Sequence, residues 1–86
     1  MSCRVTVTQH AAKQLGELPA KLTARIVARF EALGTNPRPN GSKKLHGEQD
    51  VWRIRIGDYR AIYRIQDTEL VVIVLTVGHR REIYRK

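Results

Sequence analysis

Val51-Trp52-Arg53-Ile54-Arg55-Ile56-Gly57-Asp58-Tyr59-Arg60-Ala61-Ile62-Tyr63 holds a strand, a turn and the start of a second strand. Apolar and charged residues alternate from Trp52 to Ile56. Trp52, Ile54 and Ile56 therefore leave one face, and Arg53 and Arg55 the other. Gly57-Asp58 reads as a two-residue hairpin turn, with glycine in the first central position as a type II′ turn requires. That turn sets the register: Arg55 faces Arg60, Arg53 and Arg64 lie nearby on the same face, and Trp52 pairs with Tyr63 as core aromatics. Like charges directly opposite each other destabilise a sheet by tenths of a kcal/mol to about 1 kcal/mol. A chain that keeps such a cluster predicts an anionic ligand, and a phosphodiester backbone is the best-known ligand of that kind.

Outward from this hairpin the order of elements reads β-α-α-β-β-β. Residues 3–8 alternate and predict a short strand. Thr8 is a fair N-cap for a helix over residues 9–18, with Ala12, Leu15 and Leu18 on one face. Pro19 suits the first turn of a second helix that runs to Leu33, with Leu22, Ile26, Phe30 and Leu33 at helical spacing. The two helices form a hairpin that covers one face of a small sheet. Residues 34–42 are loop chemistry throughout, too short and too central to be a domain linker, and Lys43 and Lys44 follow. The remaining strands are expected over 51–56, 59–65 and 70–77. The last has an apolar run without alternation, Leu70 to Leu75, which predicts burial on both faces near the sheet centre.

Sixteen Lys and Arg against eight Asp and Glu give a net charge of +8 on 86 residues, the footprint of a chain that binds nucleic acid or acidic protein. The length suits one domain, residues 1–86, with one modest core. No apolar run approaches a membrane span and no signal peptide is visible, so the expected compartment is the cytoplasm. Cys3 has no second cysteine to pair with, and no cluster of residues has metal-ligand spacing; neither a metal nor a cofactor is expected. His10 and His46 read as structural or solvated.

The string 51–63, followed by Val77-Gly78-His79-Arg80-Arg81-Glu82-Ile83-Tyr84, resembles the RelE branch of the RelE/ParE toxin superfamily, and the likeness extends over nearly the whole chain. The resemblance implies an α+β fold, a helical hairpin on a small antiparallel sheet with a basic site on the open face. It implies the toxin of a type II toxin-antitoxin pair, a metal-independent endoribonuclease that cuts messenger RNA in the ribosomal A site. Its partners would be the ribosome, the message and a RelB-like antitoxin with an amphipathic helix and an acidic segment. The alternative within the same fold is a ParE-like inhibitor of DNA gyrase with no catalysis.

Carried over residue by residue, the resemblance puts Arg53 and Arg55 on a pair of basic strand positions and Arg60 on the phosphate-stabilising arginine. Arg80 falls on the residue assigned to the leaving group, and Tyr84 on a carboxy-terminal tyrosine that stacks on or orients a nucleotide. Lys43, Lys44 and Arg81 are candidate RNA contacts. Several relatives carry lysine where this chain has Arg53 and Arg55. Arginine does not deprotonate in a protein, so the identity of the general base stays open. His79 is the candidate acid or base, histidine being the side chain type that ordinarily exchanges a proton near neutral pH. The other reading is catalysis by positioning and charge alone. Each residue also has a bland reading: a solvated strand face for the arginines of 53–60, solvent exposure of Arg64 or its ion pair with Asp67 or Glu69, tail charge for Arg80, Arg81 and Arg85, an apolar anchor for Tyr84, and a turn residue for His79.

Overall fold

Thr8 ends the first strand and starts the first helix. In the computed structural model, which describes residues 3–45, 47 and 49–79, β1 (Arg4–Val7) leads into α1 (Gln9–Gly16), and the Thr8 Oγ1 accepts the Ala11 N–H at 3.1 Å. The same hydroxyl donates to the Leu75 carbonyl at 3.1 Å, so the cap also fastens the helix to the sheet. α1 ends two residues earlier than expected. Glu17 and Leu18 turn their N–H groups onto the carbonyls of Gln14 and Leu15, three residues back, and tighten the chain out of α-helical geometry.

Pro19 stands outside the second helix as its N-cap, in extended backbone at φ −56° and ψ 144°, rather than inside its first turn. α2 (Ala20–Thr35) then runs two residues past the expected end. Its inner face carries Ile26, Phe30 and Leu33, with Leu22 packed alongside. Gly34 is buried where the helix meets β1: a Cβ there would lie 2.8 Å from the Cys3 carbonyl oxygen, so only glycine allows the approach. No helix among the described residues is long and apolar enough to cross a membrane.

The sheet has five strands in the order β1-β5-β4-β3-β2, where β2 is Lys43–Lys44, β3 Val51–Ile56, β4 Tyr59–Gln66 and β5 Val71–His79. It is mixed rather than antiparallel throughout, because β1 runs parallel to β5 while every other pairing is antiparallel. Local periodicity carries no information on strand direction. Nor could it show the two-residue strand of Lys43 and Lys44, which is shorter than one repeat of any pattern.

A 3-10 turn (Asp67–Glu69) joins β4 to β5 and leaves Leu70 left-handed at φ 53°, so β5 begins one residue late; it continues to His79, two residues further than expected. It lies between β1 and β4, and Val71, Val72, Val74 and Val77 are buried. Tyr63 pairs with Val74 but Ile62 pairs with Thr76, so Leu75 is an extra residue. This bulge inverts the alternation along β5: Val72 and Val74 face the helices, and after it Val77 and His79 do. The core fills the helix-covered face with Ile54, Ile56, Ala61, Tyr63, Ile65, Val72, Val74 and Val77 against Ala11, Leu15, Ile26, Phe30 and Leu33.

Candidate functional site

The face of the sheet away from the helices is built from the residues between those core positions. Register places them in rows across the strands. One row is Arg55, Arg60 and Gly78; the next is Lys43, Arg53, Ile62 and Thr76; a third is Val51, Arg64 and Ile73. The expected pairs, Arg55 with Arg60 and Trp52 with Tyr63, are the observed ones. Directly opposite side chains start about 4.5–5.5 Å apart at Cβ and diagonal ones about 7–8 Å, so Arg53, Arg55 and Arg60 leave the sheet from the corners of a compact triangle. Arg53 and Arg60 are half-buried and Arg55 is exposed.

The β3–β4 turn holds one corner of this triangle. Gly57 has φ 62°, as the first central residue of a type II′ turn must, while Asp58 stays out of the left-handed region. Arg55 Nε donates to the Gly57 carbonyl at 2.9 Å, which draws its guanidinium toward the tip of the hairpin.

Lys43 pairs with Arg53 and joins the basic face, whereas Lys44 pairs with Trp52 and belongs to the opposite face. Adjacent strand residues leave a sheet on opposite sides, so the two lysines do not act as one contact. His79 pairs with Tyr59 and meets it edge-on with ring centroids 5.7 Å apart. The Leu75 bulge thus turns His79 toward the helix-covered face and away from Arg60, whose partner is Gly78. Arg80, Arg81, Tyr84 and Arg85, like His46, lie outside the described residues.

Arg64 is exposed on the open face, the first of its two bland readings, and Asp67 pairs with another residue. Arg38, which periodicity did not single out, donates to both carboxylate oxygens of Asp67, at 2.9 and 3.3 Å. Its guanidinium also lies 5.4 Å from the centre of the Trp52 ring. The hydrogen bond from Arg38 holds the Asp67 carboxyl below its ordinary value, and the same bond raises Arg38. Close by, the wholly buried Tyr63 donates its hydroxyl to the Pro37 carbonyl at 2.7 Å. Burial pushes the Tyr63 phenol up, with Ser42 pulling the other way. These contacts clamp the 36–42 loop over the edge of the core. The loop between α2 and β2 offered one signal for this, since its single arginine, Arg38, stands between two prolines that restrict the backbone.

The described part of the site is therefore a cationic sheet face with Ile62 and Val51 between its charges. It can bind two or more oxygens of a phosphodiester at once and stabilise extra negative charge on phosphorus.

Proteins of similar sequence and structure are known. Residues 5–84 match the family described as "ParE toxin of type II toxin-antitoxin system, parDE". Toxin RelG of Mycobacterium tuberculosis is 33% identical over 87 residues, spanning all of both chains. The archaeal RelE-RelB complex of Pyrococcus horikoshii superimposes with a TM-score of 0.82 at 30% identity, covering 93% of this chain and 97% of the other. The RelBE2 toxin-antitoxin complex of Mycobacterium tuberculosis gives 0.82 at 33% identity, with 93% of each chain covered.

Proposed function

This chain belongs to the RelE/ParE toxins of type II toxin-antitoxin systems, and from that premise we propose that it is a ribonuclease that cuts messenger RNA in the ribosomal A site. The observation that carries the reading is the triangle of Arg53, Arg55 and Arg60 on the sheet face that, among the described residues, no helix covers. In the proposed reaction the 2′-hydroxyl of the message gives up its proton to solvent water as its oxygen bonds to phosphorus. The P–O5′ bond then breaks, leaving a 2′,3′-cyclic phosphate, and the departing 5′-oxygen takes up a proton.

Arg60 and the Arg53/Arg55 pair stabilise the doubly charged phosphorane, with Lys43 steering the backbone from the edge strand. Arg80 at the leaving oxygen and Tyr84 against a nucleotide complete the set by resemblance. His79, turned toward Tyr59, is a poor base for this face, and none of the arginines can serve as one. The reading that follows is catalysis by positioning and charge stabilisation, the ribosome supplying the geometry of the substrate.

A cognate antitoxin is part of the same proposal. The two solved relatives above are toxin-antitoxin complexes with RelB-type partners. A basic toxin of net charge +8 calls for an acidic antitoxin segment over the arginines, joined to an amphipathic helix. Co-expression with the neighbouring reading frame should give a complex that relieves toxicity.

Primer extension on messages from translating ribosomes incubated with the protein tests the catalytic reading. New 5′ ends inside the A-site codon are expected. The family description also names parDE, and a toxin that yields no new ends but blocks gyrase supercoiling would be the non-catalytic inhibitor instead.

A further inference from the structure

Lys21, Arg25 and Arg29 recur at every fourth residue of α2, and all three are exposed. They form a stripe along one flank of the helix, each about 6 Å further along the axis than the last. Like charges at that spacing weaken a helix, and α2 contains a single acid, Glu31, to offset them. Among the described residues, none of the three meets a carboxylate at ion-pair distance.

Arg25 links this stripe to the sheet. A Cβ on Gly57 would lie 3.6 Å from both Nη1 and Nη2 of Arg25, so its guanidinium rests close to the β3–β4 turn. Arg55 reaches the same glycine from the uncovered face through its 2.9 Å hydrogen bond to the carbonyl. Two guanidinium groups thus converge on one turn, one from the sheet and one from α2. The two basic surfaces meet at the hairpin tip, beside the exposed carboxylate of Asp58.

We propose that the Lys21-Arg25-Arg29 stripe is a second phosphate track, holding the backbone of structured RNA beside the strand that occupies the sheet face. The inference rests on the RNA-acting reading above and adds a surface to it. Ala24, Ala28 and Ala32, all exposed, lie beside the cations, so no bulky side chain keeps a backbone at a distance. A protein partner needs an apolar centre to its interface. The stripe offers none: Val27, the exposed large hydrophobic residue of α2, lies about 160° around the helix from Arg25. A phosphate backbone asks only for suitably spaced cations.

The test is binding of the full chain to a short RNA duplex across a salt titration, read by fluorescence anisotropy. Replacing Lys21, Arg25 and Arg29 together by alanine should lower the log-log salt slope by about 2–3 units, at roughly 0.9 per lost phosphate contact. If the triple variant melts early, Arg25→Ala alone carries the test, with about one unit lost. An unchanged slope overturns the proposal. So does an unchanged slope together with loss of a co-purifying acidic protein, which would assign the stripe to that protein. Wild-type protein that binds the duplex through the stripe yet makes no cut on ribosome-bound message would sink the ribonuclease reading and leave the track standing.

Discussion

The two faces of the sheet are drawn from alternate residues of the same strands, yet only one of them is explained by packing. On the helix-covered face, Ile54, Ile56, Ala61, Tyr63, Ile65, Val72 and Val74 are sealed against α1 and α2, and each contributes to stability by what it touches. On the other face, Arg55 stands opposite Arg60 with Arg53 on the diagonal, an arrangement that raises the energy of the folded chain. On the proposed function, this clustering of like charges serves a ligand rather than the fold. The contrast separates two kinds of mutation, those that should move melting and those that should move activity.

The largest effect belongs to the covered face. Phe30→Ala should lower unfolding free energy by about 3–5 kcal/mol, through lost burial and the cavity left behind. Chemical denaturation measures it, and a loss under about 1 kcal/mol would mean that α2 is not seated on the sheet as described. Tyr63→Phe should cost about 1 kcal/mol by removing the donor to the Pro37 carbonyl.

The same residue sets an alkaline limit. Burial raises the Tyr63 phenol above its ordinary value near about 10, so its contribution is whole below that pH and is lost as pH rises through the raised folded value. Melting temperature followed upward from about pH 9 should fall less steeply for Tyr63→Phe than for the parent chain. Equal slopes would contradict the burial assigned to the hydroxyl.

On the open face the sign reverses. Arg55→Ala should leave stability unchanged or raise it, by tenths of a kcal/mol to about 1 kcal/mol, since it relieves the pair with Arg60. A clear loss in melting would show that Arg55 serves the fold. The smallest effect is at the Arg38–Asp67 pair. The Asp67 carboxyl is held below its ordinary range near about 3.9, so the pair contributes above that pH and its contribution is lost as pH falls through the lower folded value. Asp67→Asn should flatten the acid limb of the melting curve slightly, and an unaltered limb would remove the pair from the account.

How much of this was legible in the sequence divides along the same line. Strict alternation from Trp52 to Ile56 and a two-residue turn at Gly57 fix the register, so the Arg55–Arg60 pair could be read directly. The direction of β1, the Lys43–Lys44 strand and the Leu75 bulge could not. An unbroken apolar run such as Leu70 to Leu75 has no parity, and one extra residue in it decides which face His79 takes. Arg25 and Arg38 were equally hidden, because each gains its role from a partner more than 25 residues away, Gly57 for one and Asp67 for the other.

The central claim is that the uncovered face performs chemistry the fold does not need. Arg60→Ala tests it most directly when cleavage of ribosome-bound message and thermal melting are measured on the same preparation. Cleavage should fall by about 10² to 10³, the loss expected when one charge is removed from a developing oxyanion, while the melting temperature stays close to that of the parent chain. Near-normal cleavage by a variant that melts normally would contradict the account.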